Sequence, residues 1–188
     1  MKKQLVLSHV LGGSGKKTFL KMQFGGDLQK GKRKTKRVLV SRRYVHVVMR
    51  SPMAKGRFSL LKRSKWVEAT VREQAKKQHI KVFDFANMGN HLHILIKIMP
   101  RGRATNEAFA GFTRALAGLI ARKILDAQRG APVLEQGQAF WPSRPYTRVL
   151  SNTREDYRST RAYFTLNLFE AIGFERKKTY LPLARGPT

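Results

Sequence analysis

The run Asn90-His91-Leu92-His93-Ile94-Leu95-Ile96-Lys97-Ile98 constrains this chain more than any other stretch. Its branched apolar residues alternate, which predicts a β-strand with one buried face. Side chains two apart on a strand share a face. Leu92, Ile94, Ile96 and Ile98 therefore point together into a core, and His91 and His93 point together the other way. Two neutral imidazoles at that spacing can hold one divalent metal. The same spacing also describes a pair of half-exposed histidines on a sheet, so neighbouring elements must decide between the two.

Those elements follow one another in a readable order. Val38 to Arg50 is β-branched and apolar, a first strand. Phe58 to His79 has helical spacing, with Leu60, Val67, Val71 and Ala75 on one stripe. Lys81 to Asn87 alternates as a second strand, and the turn Met88-Gly89-Asn90 folds it back onto the histidine strand as a hairpin. Thr105 is placed to cap a second helix reaching about Gln128, with Phe109, Phe112, Leu116 and Leu119 on its buried face. Residues 130–137 read as a loop, and Ala139 to Leu150 as an irregular strand. Asn152 or Thr153 caps a last helix that ends near Ile172, with Gly173 as its stop. The order strand, helix, strand, strand, helix, strand, helix predicts an α+β fold. It is the ferredoxin-like split β-α-β plan: an antiparallel sheet with two helices on one face, then a C-terminal tyrosine-bearing helix. The two helices would cover the Leu92 side and leave the histidines on the open side.

Charge limits the partners. The 188 residues contain 39 Lys and Arg against 11 Asp and Glu, a net charge of +28. A field of that size opposes compaction unless a polyanion is near, and nucleic acid is the obvious one. No stretch approaches the ~20 apolar residues of a membrane span, and Met1-Lys2-Lys3 does not open a convincing signal peptide. The chain has no cysteine, which excludes disulfides, zinc ribbons and thiol nucleophiles and fits the cytoplasm. Residues 1–37 read as a basic flexible arm, 38–174 as the folded domain and 175–188 as a basic tail. Gly12-Gly13-Ser14-Gly15-Lys16-Lys17-Thr18 is not a phosphate loop: Lys17 stands where Ser or Thr is required.

The last helix carries two stripes. Tyr157, Phe164, Leu168 and Ile172 form an apolar one. Asp156, Thr160, Tyr163, Asn167 and Glu170 form a polar one, on which Tyr163 and Asn167 are one turn apart. Combined with the two-histidine face, Asn167 can add a carbonyl oxygen as a third metal ligand, beside the Tyr163 phenol. A Lewis acid on a phosphodiester makes its phosphorus more electrophilic. It also favours phenolate, the form of tyrosine that attacks, over a phenol whose free pKa is ~10.

These residues resemble a known family. Asn90-His91-Leu92-His93 followed by Ile-Leu-Ile resembles the His-hydrophobic-His (HUH) motif of single-tyrosine transposases. Tyr163-Phe164-Thr165-Leu166-Asn167 resembles their Tyr-x-x-x-Asn helix. Phe140-Trp141 through Tyr146 and Arg148, and Tyr44-Val45-His46-Val47 with Arg50, are similar to their flanking strands. The match spans about residues 38–174, and Asn in place of Gln points to the REP-associated tyrosine transposase group. The resemblance implies a metal-dependent enzyme that binds hairpin-bearing single-stranded DNA. It cuts through a 5′-phosphotyrosine, frees a 3′-OH and rejoins the strand, moving a mobile or repeat-associated element. It further implies Tyr163 as nucleophile, His91, His93 and Asn167 as ligands, and Mg2+ or Mn2+ as the metal. Such enzymes occur as homodimers and as monomers. Arg50, Arg101, Arg103, Tyr146 and Arg148 are the candidate nucleic-acid contacts. Arginines hold the backbone and aromatic rings stack on unpaired bases. His46 reads as structural or as a DNA contact.

Two departures stand out: Gly89 where such enzymes usually have Pro, and Leu168 where the last helix often has Pro. Glu170, on the Tyr163 stripe, reads as a solvated charge in preference to an extra metal ligand or base. The competing reading is a non-catalytic RNA- or DNA-binding module on a ferredoxin-like sheet, which accounts for the charge but gives no reason for His91, His93, Asn167 and Tyr163 to converge. A two-tyrosine relaxase is disfavoured because position 167 is Asn.

Overall fold

The computed structural model describes residues 22–26, 36–99, 102, 104–128, 134, 138–151, 153–171 and 173. Five strands form one antiparallel sheet: β1 (Gln23–Phe24), β2 (Tyr44–Arg50), β3 (Ile80–Asn87), β4 (His91–Ile98) and β5 (Tyr146–Val149), in the order β1-β5-β2-β4-β3. Among the described residues three α-helices accompany it, α1 (Ser64–Lys77), α2 (Thr105–Ile124) and α3 (Arg154–Ala171). The chain is α+β, and β2 to β5 with α1 and α2 follow the split β-α-β plan. Candidate contacts Arg101 and Arg103, most of the basic arm and the tail 175–188 lie outside the described residues.

The apolar face of β4 builds the main core. Leu92, Ile94, Ile96 and Ile98 are fully buried with Val45, Val47 and Met49 of β2. Val67, Val71 and Ala75 of α1 and Phe109, Phe112, Leu116, Ile120 and Ile124 of α2 close it from above. Leu119 is only partly buried. α2 stops four residues short of Gln128 because Asp126 adopts a left-handed φ of 49°. Ala104, not Thr105, is its N-cap. Trp141 is taken up by packing: its Nε1 donates to Ala117 O at 3.0 Å.

The expected helix from Phe58 is interrupted. Two 3-10 turns, Gly56–Phe58 and Leu60–Arg63, precede α1, because Ser59 is extended (φ −57°, ψ 132°). Leu60 is tied instead to the β3–β4 hairpin: its N–H donates to Gly89 O (2.8 Å) and its carbonyl accepts from Asn87 Nδ2 (3.0 Å). Gly89 has φ 82°, and an added Cβ would meet Ser59 Oγ at 3.1 Å. Only glycine serves such a turn without strain, which accounts for Gly89 just ahead of the histidine strand.

Two sequence expectations need correction. Residues 22–26 do not belong to a flexible arm, since Gln23 and Phe24 pair with Arg148 and Thr147 as the edge strand β1. Arg37 helps fix this edge, lying 4.5 Å from the Phe24 ring centroid and donating to Thr147 Oγ1 (2.6 Å). Nor is the histidine face open, because α3 lies across it. A second cluster forms there from Ala86, Leu95, Leu150 and Phe164, flanked by Tyr44, Tyr157 and Tyr163.

Candidate active site

Register decides which side chains meet on this second face. Directly opposed residues of antiparallel strands project to the same side. Arg50 is opposite His91, Val48 opposite His93 and Tyr146, and His46 opposite Leu95 and Arg148. His46, His91, His93, Arg50, Tyr146 and Arg148 therefore share one face, although they come from three strands. The His91 and His93 rings are 4.8 Å apart.

Helix α3 brings its tyrosine onto that face. Thr153 Oγ1 accepts from Asp156 N (3.2 Å), the expected N-cap, and Gly173, at φ 96°, donates to Glu170 O (3.1 Å) just past the helix. The stripe that packs down is Thr160, Phe164 and Asn167, while Leu168 stays exposed. Phe164 seats between the imidazoles, 5.1 Å from His46 and 5.7 Å from His93. Tyr163, half-buried, stands edge-on to both, with ring centroids 5.5 Å from His93 and 6.2 Å from His46. Asn167 is buried one turn further along.

His46, read from the sequence as structural or as a DNA contact, is a direct neighbour of the histidine pair. Its Nε2 lies 2.9 Å from His93 Nδ1, with both rings buried. That contact joins residues 47 apart in the chain, so only the β2–β4 register reveals it. All three imidazoles are held neutral. Burial, then Arg148, lowers His46 to a pKa of about 3. Burial, then Arg50, lowers His91 to about 4. Burial, then His46 and His91, lowers His93 to about 2.

Neutral rings keep lone pairs for a cation, and their hydrogen bonds suit one. Asn90 Oδ1 can only accept, so His91 Nδ1 donates to it (2.5 Å) and leaves Nε2 bare. His93 Nε2 is buried with no hydrogen-bond partner among the described residues. A buried orphan nitrogen beside a second bare one fits a metal. Among the described residues no group of three or more His, Cys, Asp or Glu meets metal spacing. A third protein ligand would thus have to be of another type, such as an amide oxygen.

Arg148 anchors α3. Its Nη2 donates to Asp156 Oδ1 (3.2 Å) and Thr160 Oγ1 (2.8 Å), and Asp156 Oδ2 also accepts from Ser151 N (2.7 Å) and Oγ (2.8 Å). Asp156→Ala removes the carboxylate facing a partly buried guanidinium and the acceptor of the Ser151 amide and hydroxyl. It is expected to destabilise the fold by about 2–4 kcal/mol, read as a lower urea midpoint. Asp156→Asn should lose less, because it keeps an acceptor. Tyr146 lies 6.4 Å from His46, and burial raises its phenol pKa. Arg50 is exposed at the rim. Among the described residues no helix is long and apolar enough to cross a membrane.

No family model and no curated protein matches the chain. Among solved structures, it is similar to a REP-associated tyrosine transposase bound to a REP hairpin, with 11% identity over 77% of each chain and a TM-score of 0.53. It is also similar to a Deinococcus radiodurans R1 chain described as a "putative transposase", with 18% identity over 72% of this chain and 98% of that one, at a lower TM-score of 0.39. The first likeness is one of fold: the α+β arrangement seen here is consistent with that of the tyrosine transposase.

Proposed function

We propose that this chain is a metal-dependent, single-tyrosine DNA strand transferase acting on hairpin-bearing single-stranded DNA. The observation that carries this reading is the Tyr163 ring standing edge-on to His93, 5.5 Å away, where the His93 ring itself neighbours that of His91 (4.8 Å). The fold likeness to a tyrosine transposase solved with a REP hairpin supports both the reaction class and the substrate, and the +28 charge supports a polyanionic partner.

In this reading His91, His93 and the Asn167 amide oxygen would hold Mg2+ or Mn2+, which when bound would polarise the non-bridging phosphoryl oxygens. Tyr163 Oη forms a bond to phosphorus as the bond from phosphorus to the 3′ oxygen breaks. The phenol proton passes to solvent, and the departing oxygen takes one up as a free 3′-OH. The phosphotyrosine is itself a diester, so attack by a 3′-OH reverses the step and rejoins DNA without a nucleotide cofactor. His46 orients His93, and Arg148 with Asp156 holds α3 over the sheet. Arg50, Arg101, Arg103 and Tyr146 are the proposed DNA contacts.

The test is polarity and metal dependence together. Full-length protein is incubated with hairpin-bearing single-stranded DNA and Mn2+ or Mg2+, then run on a denaturing gel. A 3′-end label should shift into a protein adduct, a 5′-end label should appear in a shorter free strand, and EDTA should abolish both. Tight binding with no adduct across many hairpins would instead favour a non-catalytic nucleic-acid module.

A further inference from the structure

The histidine face of the sheet continues past the imidazoles to a differently built surface. Tyr44 opens β2 opposite Lys97 of β4, and Lys97 is opposite Lys81 of β3. The β3–β4 register slips between Val82 and Asp84, so Phe83 is the extra residue of a β-bulge. Bulges re-aim side chains. This one sets the Phe83 ring edge-on to Tyr44, with centroids 4.9 Å apart and 38% of the residue exposed. Tyr44 leans in turn on Tyr157 of α3 (4.6 Å). Lys97 Nζ stands 4.0 Å from the Tyr44 centroid and 5.7 Å from that of Phe83. The carboxylate next to Phe83, Asp84, is engaged by Arg161 Nε at 3.1 Å.

The ring contacts within the patch account for these features only in part. A phenylalanine left this exposed on an edge strand gains little from burial. Two lysines directly opposed across a ladder repel each other. Both features become favourable when an unpaired base lies on the ring and a phosphate sits between the ammonium groups. A paired base has both faces covered by its stack, whereas an unpaired base offers a free face.

We propose that Phe83, backed by Tyr44 and flanked by Lys81 and Lys97, is a stacking subsite for one unpaired nucleotide of single-stranded DNA. Lys97 is four residues along β4 from His93, about 13 Å. The nucleotide held there is therefore a different one from that at the scissile phosphate. The inference rests on reading the chain as a single-strand DNA binder and deepens it by assigning a contact away from the chemistry.

The measurement is fluorescence anisotropy of the full chain with a short fluorescein-labelled oligothymidylate and with an abasic strand of equal length. Phe83→Ala should weaken oligothymidylate binding about five- to a hundredfold. Phe83→Leu, which keeps apolar volume without a π-face, should weaken it as much, and Phe83→Trp should bind at least as tightly as wild type. The abasic strand should bind all four proteins alike. Lys81→Gln should reduce the magnitude of the slope of log affinity against log salt by about one. Wild-type affinity in Phe83→Leu would overturn the proposal, and so would an equal loss on the abasic strand. Tighter binding of oligouridylate than of oligothymidylate by wild type would overturn the DNA assignment. Adduct formation is scored separately. An adduct with no Phe83 effect sinks this subsite alone, and a Phe83 effect with no adduct sinks the transferase reading alone.

Discussion

Tyr163→Phe is expected to abolish the covalent protein–DNA adduct, a loss of at least about a thousandfold in cleavage rate, since nothing replaces a missing nucleophile. The substitution deletes one hydroxyl and keeps the ring, so the edge-on contacts to His93 and His46 survive. Stability should move by less than about 1 kcal/mol, and DNA affinity by no more than a few-fold. Tyr157→Phe is the matched control. Tyr157 packs on Tyr44 and lies on the same helix, but no ring contact links it to the imidazoles among the described residues. Its variant should still form adduct. Tyr146 is the informative rival, because it reaches the same sheet face 6.4 Å from His46. Burial raises its phenol pKa, which disfavours its phenolate. An adduct that persists in Tyr163→Phe and maps by mass spectrometry to Tyr146 would reassign the nucleophile and refute the proposed role of Tyr163.

What could be read from the sequence was whatever a period of two or 3.6 encodes. Leu92, Ile94, Ile96 and Ile98 announced a one-sided strand, and all four are fully buried. Gly89 announced a tight turn, and the Thr153 cap and Gly173 stop bracketed α3. Features joined by long-range register were not legible. The His46–His93 contact depends on a strand alignment that neither segment encodes alone. β1 is two residues long in a Gly- and Lys-rich stretch and has no periodicity to detect. That α3 seals the histidine face, rather than only approaching it, was not legible for a chemical reason. The packed stripe of α3 includes Thr160 and Asn167, while Leu166, Leu168 and Phe169 are about half exposed. Hydrophobic periodicity therefore pointed to the Leu168 side, when polar residues were the ones turned toward the sheet. The four side chains singled out for chemistry do lie on the same side of the sheet as α3. Three of them, His91, His93 and Tyr163, form a chain of ring contacts, and Asn167 is buried one turn along.

That cover has a thermodynamic signature. A histidine in the unfolded chain titrates near ~6.5. In the folded protein His46 is lowered to about 3, His91 to about 4 and His93 to about 2, chiefly by burial. Below pH ~6.5 the unfolded chain therefore takes up protons that the folded chain refuses. The sign follows directly: stability is full above the unfolded value and falls as pH falls toward the folded values. Each sealed imidazole contributes a slope of up to about 1.4 kcal/mol per pH unit in that window. His46 and His93 together should cost roughly 2–4 kcal/mol between pH ~7 and ~5, a large share of a typical 5–15 kcal/mol. Half-exposed His91 adds less because solvent screens it. Carboxylates titrate mostly below this range, so urea melts in EDTA across the window report chiefly on the buried imidazoles. His46→Gln should flatten the dependence by removing one titrating group, even if it lowers stability near neutrality. A wild-type midpoint that stays level from pH ~7 to ~5 would mean that the imidazoles are solvated and that α3 does not seal them. In that case the neutral lone pairs proposed to hold the cation, and the seating of Tyr163 above them, would both lose their physical basis.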